Sequence, residues 1–358
     1  MLGDMLGILE PGDTPGMMIW AVAGYILGAA GAWAVARFGG LAGLLDFSSE
    51  RSSHVGVVPK GGGVGILAAV VFSSAISGAP WLLWVPAAMV SIVSFVGDRT
   101  HLSPAWRLGV QFACAAPAAL SALARPEAAF PLPVYPLLII FIVAAANFAN
   151  FNDGINGMAG IAGLIGFGLL FVRAIFLNDP SLELMVLAPA CACLGFLPFN
   201  IPKAKVFMGD VGSVLLGFFL AVMALRLSRD MTGLAVTAAF FFPLFADAAT
   251  TILVRKRDGE RLTQAHRRHL YQLFANQGGV AHWKISAGYG LFQLLVGLAA
   301  WGAEGLGSLA VALVWLVAYG VFWVVSFLAR QVYEAGAIEK MPATSLFKNL
   351  SQGEPPLQ

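Results

Sequence analysis

Charge is scarce in this chain. Only 11% of its 358 residues are Asp, Glu, Lys or Arg, against about a quarter in soluble domains. Hydrophobic residues make up 59%. A water-soluble fold of this length cannot bury so much apolar surface, so a polytopic membrane protein is expected. Cysteine is scarcer still, and Cys114, Cys191 and Cys193 all stand inside apolar runs. With no CxxC pair, a disulfide framework is not supported, and packing in the membrane core is their expected role. The N-terminus lacks basic residues: Asp4, Glu10 and Asp13 precede Arg37, the first positive charge. A secretory signal needs a basic start, so the first apolar run is expected to be a retained helix. No internal repeat is visible. The formal net charge of +2 argues against bulk nucleic-acid binding.

What is abundant is apolar sequence in runs of roughly 16 to 23 residues, longer than barrel strands require. The expected fold is all-α, with eleven membrane helices at about 16–37, 62–78, 81–97, 105–124, 133–149, 157–177, 183–198, 209–227, 232–254, 281–301 and 305–328. They form one membrane-embedded domain over residues 1–358, with 330–358 expected to be a disordered cytoplasmic tail. With the N-terminus outside, one side receives 17 of the 21 Lys and Arg and the other only Arg125, Arg173, Arg226 and Arg229. The richer side is therefore read as cytoplasmic.

Five polar clusters fall on that side. Residues 147–160, NFANFNDGINGMAG, carry four Asn and one Asp but no Lys or Arg. Such a cluster beside apolar spans needs water or a ligand. Three-residue spacing would keep Asn147, Asn150, Asp153 and Asn156 near one helix face. Amides suit a sugar or nucleobase, and Asp153 suits a cation or a hydroxyl; capping alone would need one such residue. The loop at 46–63 ends in Lys60 and three glycines, which admit a ligand close to backbone beside a phosphate-binding charge, with Arg51 upstream. Asp98 ends a helix, where the dipole disfavours it, so it needs a cation or an ion pair with Arg99. Asp210, between glycines at a helix start, is either a plain N-cap or, with Asp98 or Asp153, a ligand for magnesium on a substrate phosphate. His266 and His269 share a helical stripe with Leu262, Leu270 and Leu273, and with Arg267 and Arg268 make a diphosphate clamp. Zinc is the weaker idea there, without a Cys or third His nearby. His101 and His282 are lone interfacial residues. Asp247, mid-span, is expected to be a buried helix–helix contact.

Five pieces in order, RSSHVGVVPKGGG, GDRTHLSPAWRLGVQ, NFANFNDGINGMAG, VFMGDVGSVLLG and HRRHLYQ, resemble the polyprenyl-phosphate N-acetylhexosamine-1-phosphate transferases. These are membrane enzymes of the glycosyltransferase 4 type that begin cell-wall, O-antigen and related glycan assembly. The resemblance implies that a lipid phosphate, undecaprenyl phosphate in bacteria, attacks the β-phosphorus of a UDP-N-acetylhexosamine. The products are lipid-diphosphate-sugar and UMP. It implies magnesium as cofactor, with manganese a substitute, and a bacterial inner-membrane location with a cytoplasmic site. A homodimer is kept open. Carried over by motif, Asp210 is the magnesium-binding Asp of FMGD and Asp98 the second Asp of a paired acidic motif. Asn147, Asn150 and Asp153 match the Asn-Asp motif near the nucleotide. His266, Arg268 and His269 match the histidine-rich loop that handles phosphate or sugar. Two positions depart: Gly97 replaces the first Asp of the pair, and Asn156 stands where many relatives have Asp. The NGMAG ending and HRRHLYQ lean toward the branch using 6-deoxy-N-acetylhexosamines. Two other readings stay open. One is a transporter or lipid flippase, favoured only by Asp247. The other is a weak relative crippled at Gly97.

Overall fold

The computed structural model describes residues 14–48, 56–100, 102–261 and 266–339. Arg51, His101 and Leu262 lie outside the described residues. The chain is a bundle of α-helices with one short hairpin. The first four helices are α1 (Thr14–Phe38), α2 (Val64–Ile76), α3 (Trp81–Thr100) and α4 (Pro104–Leu123). Then come α5 (Tyr135–Asn152), α6 (Met158–Phe176), α7 (Pro180–Asn200) and α8 (Asp210–Arg226). They are followed by α9 (Met231–Ala239), α10 (Phe242–Arg257), the single turn α11 (Leu270–Gln272), α12 (His282–Glu304) and α13 (Ser308–Glu339). The hairpin pairs β1 (Leu45–Phe47) with β2 (Val57–Pro59), antiparallel, setting Asp46 opposite Val58.

Each expected run coincides with a helix, the ninth with a bent pair, but the count of eleven membrane spans is not confirmed. Among the described residues, seven helices are long and apolar enough to cross a membrane, or eight if α9 and α10 form one span. Exposed apolar side chains such as Leu316 and Val317 on α13 form a surface suited to hydrocarbon. At the centre stands α8, buried at every residue except its first and last. Packing is close where small residues meet. Side chains at Gly24 or Gly28 of α1 would collide with the Ala188 and Ala192 carbonyls of α7, so two backbones touch along a four-residue repeat.

The ninth span does not run straight. Between α9 and α10 the axis turns by 87°, with Pro243 in the first turn of α10, where a proline is tolerated but cannot continue an incoming helix. The turn frees the Phe240 carbonyl, and Gln293 of α12 donates to it at 2.7 Å while also reaching Ala162 O at 2.8 Å. The tail boundary also needs correction. α13 continues to Glu339, because Arg330 donates to Ser326 Oγ and Arg268 O, and Tyr333 packs edge-on against Phe274. Residues 340–358 lie outside the described set. All three cysteines are free.

The charges separate as the Lys and Arg count suggested. α8 begins at Asp210 and ends at Arg226, roughly 25 Å apart at 1.5 Å per residue. At its far end Arg125 donates to Ser228 O, and Arg173 donates to Leu227 O at 3.1 Å and to both carboxylate oxygens of Glu304. Every cluster in the next subsection gathers at the other end.

Candidate active site

Three chain segments meet at the start of α8. Residues 59–63 run beside 206–209: Phe207 N–H donates to Pro59 O at 2.8 Å, and Gly61 and Gly62 N–H donate back to Phe207 O. The glycines that the sequence suggested would admit a ligand instead admit this second backbone. A side chain at Gly63 would strike Gly212, and one at Gly209, whose φ is +73°, would meet Gly61. The consequence is functional, because the crossing fixes Lys60 and Asp210 relative to each other.

Asp98, at the last turn of α3, completes the junction. Its Oδ1 accepts from Lys60 Nζ at 3.1 Å and its Oδ2 accepts from Asp210 N–H at 3.3 Å. The expected pair with Arg99 does not form; Arg99 donates to Ala42 O instead. Asp210 pairs with Arg107 and accepts from Asn150 Nδ2 at 2.8 Å. Arg107 was missed in the sequence. The signal was there: Ser103 caps α4 with Pro104 at its first turn, which puts Arg107 one turn in, facing α8.

The NFANFNDGINGMAG stretch does not lie on one helix face. α5 ends at Asn152, and only Asn147 and Asn150 point as the spacing implied. Asn147 donates to Gln111 Oε1 at 2.6 Å and to Val143 O, so its amide is spent between α4 and α5. Asn150 bridges Asp210 and Ser213. Asp153 follows the helix end, and Asn156 donates to Pro202 O at 3.2 Å. Asn breaks the helix here because its side chain competes for backbone partners.

These groups line a polar cavity of ≈ 290 Å³ that includes Lys60, Asp98, Asn150, Asp153, Asn156 and Asp210. Asp46, Asn200, Gln272 and His282 also face it, so His282 is a wall residue and not a lone interfacial one. Asp153 lines this cavity, and its carboxylate has no hydrogen-bond or ion-pair partner among the described residues. Burial, and then the charges of Asp210 and Asp98, raise its carboxyl well above the usual range. The three carboxylates make a site short of positive charge. No three His, Cys, Asp or Glu side chains among the described residues stand close enough to hold a metal ion alone. Asp98 and Asp210 nevertheless fit magnesium, which takes one or two carboxylates and leaves its other positions to substrate phosphate and water.

His266, Arg267, Arg268 and His269 do not line this cavity. Residues 266–269 are not helical, so the expected stripe is absent; the helix begins at Leu270. Arg268 pairs with Asp258 and Glu260, and the Arg255 and Arg268 partners outweigh burial to lower the Glu260 carboxyl. Burial, and then the nearby His269 and Arg255, lower His266 to about 4, so it is neutral at pH 7. Asp247 is the buried contact that was expected, engaged with His269, Leu270, Thr251 and Tyr289. That role removes the single residue favouring a transporter.

Beyond the segment carrying Gln272 and His282 lies a second, apolar cavity of ≈ 370 Å³ between α12 and α13, lined by Phe274, Ile285, Phe292 and Phe322, with Lys284 on its wall.

Comparison with known proteins bears on this geometry. The profile of glycosyl transferase family 4 matches residues 80–228, from α3 through α8. The phospho-N-acetylmuramoyl-pentapeptide-transferase of Staphylococcus epidermidis is 29% identical over 137 residues, 37% of this chain and 40% of that protein. The enzyme of that name from Lactococcus lactis is 32% identical over 135 residues, 36% and 40% of the two chains. The decaprenyl-phosphate N-acetylglucosaminephosphotransferase of Mycobacterium leprae is 27% identical over 305 residues, covering 72% of this chain and 75% of that one. The chain thus spans about two fifths of the muramoyl-pentapeptide transferases it matches and three quarters of the longer-matching relative.

Proposed function

We propose that this chain is a polyprenyl-phosphate N-acetylhexosamine-1-phosphate transferase, carrying an N-acetylhexosamine 1-phosphate from its UDP ester to a polyprenyl phosphate such as undecaprenyl phosphate. The product opens O-antigen or other cell-envelope glycan synthesis. An oxygen of the lipid phosphate attacks the β-phosphorus, the bond from that phosphorus to the bridging oxygen breaks, and UMP departs with the electron pair. The observation that supports this reading is the gathering of Lys60, Asp98, Asn150, Asp153 and Asp210 on one cavity from four separate segments.

Magnesium, held by Asp210 and Asp98, would supply the charge that the two phosphates demand. No dedicated base is required. A phosphate monoester has a second pKa of about 6, so the nucleophile is already largely an anion at neutral pH. The work left to the protein is alignment and charge balance. Lys60 and Arg107 neutralise Asp98 and Asp210 in this structure and turn to phosphate when a cation takes those carboxylates. Asn150 orients Asp210 and stays with it. Asp153, Asn156, Gln272 and His282 face the sugar and the nucleotide. The hydrocarbon of the acceptor occupies the apolar cavity beside α13, and its phosphate crosses beneath Gln272 into the polar one.

The test is UMP release by purified protein, with magnesium, from a panel of UDP-N-acetylhexosamines including 6-deoxy sugars. Release that requires polyprenyl phosphate is expected, and the preferred sugar names the branch. No release from any sugar with lipid and magnesium present would overturn the proposal.

A further inference from the structure

Asp247 lies in the second turn of α10, fully buried, and does not line the polar cavity. Its Oδ1 accepts from Leu270 N–H at 3.0 Å and stands 3.3 Å from His269 Nδ1 and 3.2 Å from Thr251 Oγ1. Its Oδ2 accepts from Tyr289 O–H at 2.9 Å. A buried carboxylate is a poor source of net stability, because desolvation offsets most of what its partners return. The informative question is what these four bonds hold in place.

They hold the start of α11. The His269 ring stacks on Tyr271, with centroids 5.6 Å apart and planes 19° from parallel. Tyr271 O–H donates to Phe151 O at 2.8 Å, across to the end of α5. Its ring lies so close to Gly154 that any side chain there would collide with it. It also packs with Ile155 and Met158 in a small apolar cluster. Phe151 and Gly154 flank Asp153. Beside Tyr271, Gln272 accepts from His269 N–H at 3.3 Å and faces the cavity. An unbroken series of contacts therefore runs from Asp247 through His269 and Leu270 to Tyr271 and the Asp153 turn.

We propose that Asp247 is a positioning residue. By fixing the start of α11 it sets, through Tyr271, the turn that carries Asp153, and with it the sugar-nucleotide wall of the cavity. The opposite wall, with Asp98 and Asp210, is set independently by the crossing of 59–63 with 206–209. The kinetic consequence rests on the transferase reading; the positional one does not.

Four variants of the full chain test this: Asp247→Asn, Tyr271→Phe, their double, and Tyr289→Phe, which removes one bond to Asp247 and serves as the milder probe if Asp247→Asn fails to fold. Hydrogen exchange in detergent should show amides of residues 151–156 opening at least about tenfold faster in each single variant, with α8 unchanged. In the kinetic cycle, each single change should raise KM for UDP-N-acetylglucosamine, and the double should be no worse than the poorer single, since both act through one linkage. Unchanged exchange at 151–156, or KM effects that simply multiply, would overturn the proposal. Wild-type protein inert toward every sugar would sink the transferase reading while leaving the exchange result to decide this one.

Discussion

Asp98 and Asp210 are joined by a backbone hydrogen bond, yet each carboxylate keeps its own cation, Lys60 for one and Arg107 for the other. That arrangement bears on Gly97, where the family motif has a second acid. A Cβ at Gly97 would sit in ordinary contact with Arg107 and Leu102, at 3.6 Å from each, so an added carboxylate has room. Gly97→Asp is nevertheless expected to leave the rate within about threefold of wild type, because an already anionic nucleophile needs no added base. A large gain would show the native site to be crippled. Asp153 offers a second check. Its raised carboxyl means the native state keeps a proton that the unfolded chain, with an Asp pKa of about 3.9, has lost. Native stability therefore falls as pH rises through that window. In EDTA the melting temperature of wild type should fall more steeply with rising pH than that of Asp153→Asn once the pH passes the unfolded value of about 3.9; parallel slopes would refute the charge assignment. Lys60, Asp98, Asp153 and Asp210 were legible in sequence because apolar surroundings isolate them. Arg107 and Gln272 were not: the Ser103 cap places Arg107 one turn into α4, but its partner Asp210 lies 103 positions on, and only the fold brings Gln272 to the cavity.

Among the elements, helix positions other than the end of α13 were legible to within a few residues because long apolar runs leave little choice. The misreadings came where backbone polarity had to be resolved by distant groups. The 232–254 run reads as one span, but FFFPLF puts Pro243 where a helix must restart, and the freed Phe240 carbonyl finds Gln293 some fifty residues later. Gln293→Leu would leave the Phe240 carbonyl unpaired in the core, at roughly 1–3 kcal/mol. A lowered melting temperature with the α9–α10 amides opening first in hydrogen exchange is expected. Undiminished stability would show that the bend holds without Gln293. The HRRH segment was misread for a related reason. The spacing of its histidines and leucines matches a helix, but Asp247 accepts from Leu270 N–H and starts the helix only there.

Over the whole molecule, the separation of charge along α8 decides where chemistry can occur. Carboxylates, amides and the cations that balance them gather at its first residue, and the sparse arginines of the poorer side gather around its last. The proposed reaction uses the first of these ends, with the apolar cavity beside α13 as the proposed place for the lipid. The reaction assigned to this end moves the β-phosphorus and leaves the α-phosphorus behind, which an isotope can follow. With UDP-N-acetylglucosamine labelled with ³²P at the β-position, magnesium and polyprenyl phosphate, label should pass into the organic phase as UMP forms unlabelled. Asp210→Asn, folded by its melting curve, should lower that transfer at least about 100-fold. Label that stays in the aqueous phase while UMP is released, or near-normal transfer by Asp210→Asn, would contradict phosphosugar transfer at this cavity.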